Sequence, residues 1–390
     1  MELFTLFTHG GGMDTEMVIA GAGIGGLTTA LTLHARGVRT VNLERVSTLR
    51  PLGVGINLLP HAVRELDQLG LATAVRDIAI APHSIEFYAS SGALLFREPR
   101  GLAAGDSHPQ LSVHRGTLQM LLLDTVTERL GDRAVRTGVG VTGFTQNADG
   151  VQVHTTAGKI CGAALIGADG INSAVRRTLH PVADPLMWSG ITMFRGVADV
   201  PAFLDGQTMV IVKGDDGVEL VAYPIGERLV NWVLQVPTGS AGVLDGDTQW
   251  NAAADATQVR GHVADWRLDR LDPVALIEST RQIYQYPMVD REPLPHWGTG
   301  RVTLLGDAAH PMYPVGANGG SQSIVDARVL ADEYAAHGIP GLCRYAEQRR
   351  RETAAVIAAN RDMHRASGRT TADLHRITAK YRHDTAGSNH

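Results

Sequence analysis

The sequence predicts an α/β protein: a Rossmann-like parallel sheet interrupted by an inserted, mostly antiparallel sheet and closed by C-terminal helices. Three observations predict it. A short apolar run, Met17 to Ala20, enters a Gly21-x-Gly23-x-x-Gly26 turn and then a segment of helical period. Far downstream, LLGDAAHPMYPVGAN runs from an apolar strand end through Gly306-Asp307 to Asn318. From about Gly190 to Met288 the pattern changes to alternation, the signature of half-buried strands.

The elements follow in order. Met17 to Ala20 reads as a buried parallel strand, Ile24 to Arg36 as a helix ended by Gly37, and Arg39 to Leu43 as a second strand closing on Glu44, which makes one βαβ unit. An extended segment, Pro51 to Asn57, leads to a helix near Pro60 to Leu69, where proline suits the first turn. Helix Leu118 to Leu130, strand Ala134 to Phe144 and a hairpin at Ala148-Asp149-Gly150 come next. Strand Ala163 to Ile166 runs into Asp169-Gly170, in a turn where Asn172 or Ser173 can cap the following helix. The alternating region carries a helical insertion near Gln249 to Asp265. The first pattern resumes at Val302 and ends in helices near Gly319–Ala336 and Gly341–Ala366. Three parts result: 13–180, with part of the inserted region near 75–110; 181–298; and 299–390.

Composition narrows the function. The chain has 390 residues, 44% hydrophobic and 19% charged, the balance of a soluble globular protein. Its net charge of −5 comes with no basic stripe interleaved with aromatics, which argues against a nucleic-acid partner. Lys159, Lys213 and Lys380 are its lysines. Cys161 and Cys343 have neither CxxC nor zinc spacing and read as reduced core thiols; no metal site is expected. The start, MELFTLFTHGGGMD, lacks a basic region and a long apolar run, and no stretch of about 18 apolar residues occurs. A cytoplasmic monomer or homodimer is expected, and residues 1–12 are set aside.

The chemistry lies in the turns. Gly21 permits a tight turn, Gly23 lets a pyrophosphate approach the backbone, and Gly26 lets helix and strand pack closely. Ile24 and Gly25 complete a helix start whose N–H groups face the diphosphate. Glu44 suits ribose hydroxyls. On this turn alone, NAD and FAD fit equally. Gly306-Asp307 favours FAD, since an Asp at a strand end can bind ribityl hydroxyls that NAD lacks. From Pro314 to Gly319 the chain opens a helix whose N–H groups can face the flavin pyrimidine edge, where reduced flavin is anionic.

With these turns in this order, the chain resembles the group A FAD-dependent aromatic monooxygenases of the para-hydroxybenzoate hydroxylase fold, whose FAD domain is Rossmann-like and of GR2 type. The resemblance implies that Asp307 binds the ribityl chain and that Gly316, Ala317, Asn318 and Gly319 hold the isoalloxazine. It places Arg115 and Gln119 on the FAD phosphates or ribose, Val139 at the adenine, and Asp169 in the ribose–pyrophosphate region that also serves NADH or NADPH. By position, Arg45 can lie over the adenine or be exposed, and Val54 can touch the flavin side or pack in the core. Segments RPLGVGIN, HRGTLQM, ITMFRGV, LVNWV and QYPMVDREPLPHWG look like those of phenazine monooxygenases of pyocyanin biosynthesis, over Met17 to about Arg382. Phe194, Pro311 and Val315 depart from that pattern near the expected pocket.

The inserted sheet should roof the flavin, so Phe194, Tyr223, Trp232 and Tyr286 are candidates for a flat apolar slot that takes a planar ring. Tyr223 is the candidate orienting phenol, and Pro314 and Gly316 shape the bare approach to the reacting edge. His310 reads as structural, and Arg349, Arg350 and Arg351 as a solvated helix face. The expected activity is hydroxylation of a small aromatic or heteroaromatic substrate, phenazine-like or an aromatic carboxylate and with decarboxylation an option, by FAD, NADH or NADPH and O2 through a flavin C4a-hydroperoxide. The alternative is a reductase or dehydrogenase of the same fold that does not activate O2. A halogenase would need an active-site lysine and a WxWxIP segment, which the sequence lacks; a flavin-binding module without catalysis is the remaining rival.

Overall fold

The computed structural model describes residues 17–182, 184–244 and 252–366. The chain start, the first residues of the predicted Gln249–Asp265 insertion and the tail after Gly368 lie outside the described residues. Six strands form the first sheet, in the order Gly298–Thr299, Val302–Leu304, Ala164–Gly167, Met17–Ala20, Thr40–Glu44 and Val135–Thr137. They are parallel except for the first pair. Met17–Ala20 is wholly buried at the centre, as a short run of four apolar residues demands. Helices Ile24–His34, Arg115–Leu130 and Asn318–His337 cover this sheet, and the first turns of Ile339–Ala366 pack at its Val302–Leu304 strand, where the Tyr345 hydroxyl donates to the Leu304 carbonyl.

The second sheet has nine strands and is antiparallel but for one pairing, Thr208–Lys213 beside Ser84–Ala89. Its longest strand, Met187–Asp199, pairs on one side with Leu229–Pro237 and on the other with Tyr284–Asp290. Ser84–Ala89 and Leu94–Pro99, from the first third of the chain, join its edge. One face of this sheet packs on the short helices Ala256–Gly261 and Pro273–Glu278 through Phe194, Trp232, Leu234, Val259 and Leu276. The opposite face carries Arg195, Tyr223, Asn231 and Tyr286, and through Arg195 and Asn231 it bonds Gly55 at the start of strand Gly55–Leu58.

Several sequence expectations change. The predicted strand from Ala134 to Phe144 is two strands, Val135–Thr137 and Val141–Gln146, in different sheets. Gly138 at φ +74 turns the chain between them. The inserted helical region has a second helix, Pro273–Glu278, capped by Asp272. Cys161 and Cys343 are free but exposed, so they are not core thiols. Arg349 is not solvated: it is buried against Asp326, with Nε at 2.7 Å, whereas Arg351 is exposed.

Candidate active site

The glycine turn is built by contact. Gly21 adopts φ +101, and a β-carbon there would lie 2.5 Å from the Ala168 carbonyl oxygen. One at Gly26 would lie 2.3 Å from the Gly21 carbonyl oxygen. At Gly23 a β-carbon would meet nothing within 4 Å, so the turn is open at the helix start, where a diphosphate fits. Gly25 packs against Leu305 and Ser323 and so joins the first helix to Asn318–His337. Ile24, the first residue of its helix, is buried. The Ala22 N–H donates to Glu44 Oε2 at 2.9 Å, and Gln119 Nε2 donates to the Ala22 carbonyl at 2.7 Å. Asn42 donates to the carbonyls of Gly21 and Gly26 at 3.0 and 3.1 Å, a tie the sequence reading missed.

Glu44, Arg45 and Val139 come together at one end. The Val139 N–H donates to the Glu44 carbonyl at 2.8 Å, and the exposed Arg45 packs beside Gly140. Arg115 is exposed beside Gly53, and its N–H donates to the Val54 carbonyl at 3.0 Å. The Asp169 turn touches the glycine turn directly, since a β-carbon on Gly21 would also lie 3.2 Å from Asp169 Cα. Asp169 Oδ2 accepts the Ala174 N–H at 2.7 Å, and Ser173, not Asn172, caps the helix through the Arg176 N–H at 2.9 Å. Asp169 Oδ1 is buried with no partner among the described residues. Burial raises the Asp169 pKa, against hydrogen bonds from Ser173 and Ala174.

At the second end, Gly306 takes φ +60 and donates its N–H to Asp326 Oδ2 at 3.0 Å. Asp326 also binds His310 Nε2 at 2.6 Å, so His310 sits in a buried ion network with Arg349. Asp307 is exposed, with its carboxylate 3.9 Å from where a Gly319 β-carbon would stand. Pro314 is exposed, Gly316 has φ 72, and Ala317 has φ 63, unusual for a residue with a side chain. The helix Asn318–His337 starts directly after Ala317. Left-handed backbone at two successive residues aims the first N–H groups of that helix at the open side. Backbone strain at Ala317, a bare helix start and an unpartnered Asp169 oxygen together fit an FAD lying from Glu44 to Gly319.

The substrate candidates divide. Tyr223 and Tyr286 lie on the face of the sheet that carries Arg195, whereas Phe194 and Trp232 lie on the other. Side chains alternate along a strand, and Phe194 pairs with Leu234 as Gly196 pairs with Trp232, all on the face covered by the inserted helices. Phe194 stacks on His262 with centroids 6.1 Å apart, and Trp232 Nε1 donates to Thr280 at 2.8 Å. These two are core residues, so the expected four-aromatic slot does not form, and Tyr223 and Tyr286 remain as its candidates. Ile191, Met193, Met288, Tyr313, Val233 and Val315 form the apolar patch around Tyr286.

Sequence reasoning passed over the cation in this slot. Arg195 donates from Nη1 to the Tyr286 oxygen at 2.6 Å and from Nη2 to the Gly55 carbonyl at 2.9 Å; its Nε is buried without a partner among the described residues. Asn231 Oδ1 accepts the Gly55 N–H at 2.7 Å. Burial pushes the Tyr223 phenol up to about 12, while Arg195 pulls it down. Strand parity carried the signal: Arg195 lies one residue from Phe194 and therefore on the opposite face.

Comparison with known proteins decides the family. Residues 14–360 match the FAD binding domain model. The chain belongs to that family. It is 46% identical over 394 residues to the phenazine 1,6-dicarboxylic acid hydroxylase of Lysobacter antibioticus, covering 95% of this chain and 97% of that one. It is 33% identical to 3-hydroxybenzoate 6-hydroxylase 1 of Aquipseudomonas alcaligenes, covering 82% and 81%. A salicylate hydroxylase solved with its substrate superposes with a TM-score of 0.77 at 22% identity, over 96% of this chain and 97% of that one. The protein is an FAD-dependent aromatic monooxygenase with NADH or NADPH and O2 as co-substrates. Nothing in these relatives favours the reductase alternative. Among the described residues, no helix is long and apolar enough to cross a membrane.

Proposed function

We propose that this enzyme hydroxylates a planar heteroaromatic carboxylate of phenazine type, with loss of carbon dioxide where the attacked carbon carries the carboxyl group. The half-buried Arg195 on the Tyr286 face of the sheet, with its shielded Nε, is the observation that carries this reading. Its fixed cation has one unpartnered N–H beside apolar walls, which suits an anionic substituent on a flat ring. The relative that acts on phenazine 1,6-dicarboxylic acid supports the ring class.

In this reading, residues 13–180 and 299–390 form the FAD-binding unit, and 181–298 with the strands near 75–110 form the substrate unit. Gly21 to Gly26, Glu44, Arg45, Val139, Arg115, Gln119 and Asp169 hold the adenine, ribose and diphosphate. Asp307 holds the ribityl chain, and Val54 with Gly316 to Gly319 flank the ring. FAD held by these residues would supply the oxygenation chemistry, with electrons drawn from the nicotinamide and the transferred oxygen atom from O2. Tyr223 and Arg195 orient the substrate, Tyr286 and Tyr313 wall it, and Pro314 and Gly316 keep the approach low. The apolar patch excludes water from the reacting edge. A cytoplasmic monomer or homodimer completes the reading.

The test uses purified holoenzyme with phenazine-1,6-dicarboxylate, NADH or NADPH, and O2. The expected result is stimulated nicotinamide oxidation and a product heavier by one oxygen, or by one oxygen less carbon dioxide. Oxidation that this ring leaves unstimulated, alongside turnover of a monocyclic carboxylate such as 3-hydroxybenzoate, would reject the phenazine class.

A further inference from the structure

The last turns of the helix Ile339–Ala366 touch both walls of the slot. Asn360 Nδ2 donates to the Tyr313 carbonyl at 3.3 Å, and the His364 ring meets the Tyr313 ring edge-on with centroids 5.6 Å apart. Arg361, the next residue, grips Asp290 with Nε at 2.7 Å and Nη2 at 3.1 Å. Asp290 and Asn360 have no exposed surface. Tyr313 packs with Ile191, Met193 and Met288 and immediately precedes the strained segment Pro314–Ala317. Asp290 ends the strand Tyr284–Asp290 that carries Tyr286. Two adjacent residues of one helix therefore tie the flavin-edge loop to the substrate sheet.

Apolar contact alone would hold these walls together without fixing their separation. A two-point guanidinium–carboxylate bond and a side-chain bond to a backbone carbonyl are directional, and they set a distance. Burying the Asp290 carboxylate and the Asn360 amide N–H is unfavourable unless each is bonded, so these two contacts are enforced in the folded state.

We infer that Asn360 and Arg361 are positioning residues that fix the gap between the Tyr313–Gly319 loop and the substrate sheet, and that this gap determines how much consumed O2 ends in product. The inference rests on the flavin ring lying along that loop. In the coupled reaction, NADH, a proton, O2 and a ring C–H give NAD+, a ring C–OH and water. In the uncoupled one, NADH, a proton and O2 give NAD+ and H2O2. A wider slot admits water and shifts flux to the second.

Asn360→Ser and Arg361→Lys test this as FAD-loaded enzymes, with phenazine-1,6-dicarboxylate as the probe. The fraction of NADH recovered as H2O2 is expected to rise roughly threefold or more at each site. The visible circular dichroism of the bound flavin, read without substrate, is expected to change as well, with FAD stoichiometry kept. The paired variant Asp290→Asn with Arg361→Met removes both charges, leaves no buried ion, and should uncouple more than Arg361→Lys. An unchanged H2O2 fraction and an unchanged flavin spectrum in the two single variants would overturn the inference, as would a slower reaction with the native ratio. If the native enzyme does not turn over the probe, the substrate reading fails on its own, and the flavin spectra of the variants alone decide this one.

Discussion

The Arg195 guanidinium and the Tyr286 phenol lie 2.6 Å apart on the face of the nine-stranded sheet opposite its two short helices, and the same guanidinium reaches the Gly55 carbonyl at 2.9 Å. The pair joins the nine-stranded sheet to the strand Gly55–Leu58. It sets a positive charge beside the apolar patch around Tyr286, the feature on which the proposed recognition of an anionic aromatic ring rests.

Removing that charge should weaken substrate binding more than flavin binding. Hydrogen bonds to charged groups are worth about 1.5–3 kcal/mol, so Arg195→Gln is expected to raise KM by roughly 10- to 100-fold. FAD content should stay near native. Steady-state kinetics with flavin absorbance of the purified variant checks both, and a native KM would remove Arg195 from substrate recognition.

The two faces of the sheet should answer to different assays. Trp232→Phe loses the bond to Thr280 and some packing, and should cost roughly 1–3 kcal/mol of stability with KM unmoved. Tyr286→Phe removes the Arg195 acceptor and should change KM or product yield with little loss of stability. Denaturant titrations beside kinetics separate them; equal kinetic damage from both would place Trp232 in the slot after all.

Backbone contact makes the glycine turn intolerant. A methyl group at Gly26 would stand 2.3 Å from the Gly21 carbonyl oxygen, so Gly26→Ala must shift the helix start that meets the diphosphate. Overpacking of this kind costs about 1–3 kcal/mol. The expected product is folded protein depleted of FAD, seen as a fall in flavin-to-protein absorbance ratio.

Acid should destabilise the protein in two steps. His61 is lowered to about 4 by burial and by Arg349 and Arg64, so between pH 6.5 and 4 the unfolded chain binds a proton that the native chain refuses. Stability falls as pH drops through that window. Asp326 is held to about 2: burial opposes its ionisation, but His310 and Arg349 outweigh burial. Its contribution, on the order of 2 kcal/mol, is present above the ordinary carboxylate range and is lost as pH falls from about 4 toward 2. His61→Gln should flatten the upper step and Asp326→Asn the lower one in a series of pH-dependent melts.

Much of the fold was legible because its signals are local. Gly21, Gly23 and Gly26 announce a turn that only glycine fits, and Glu44 stands where a second strand must end. Which face of a strand looks inward was harder. Phe194 and Trp232 are aromatic, as a planar slot requires, but the helices Ala256–Gly261 and Pro273–Glu278 bury their side of the sheet, and sheet-helix packing is set by tertiary contacts. Arg349 looked like one of three solvated arginines. Besides the nearby Glu352, its buried partners Asp326 and Gln322 are 23 and 27 residues away, and their side chains meet it only when the two long C-terminal helices pack.

The most direct measurement is oxygen-isotope transfer. Purified holoenzyme, NADH and phenazine-1,6-dicarboxylate are incubated under isotopically heavy O2, and the product is weighed by mass spectrometry. The account predicts one heavy oxygen atom per product molecule, in step with NADH consumed, and loss of that yield in Arg195→Gln. A product whose new oxygen comes from water, or NADH oxidised with all O2 recovered as H2O2 for every aromatic carboxylate tried, would contradict it.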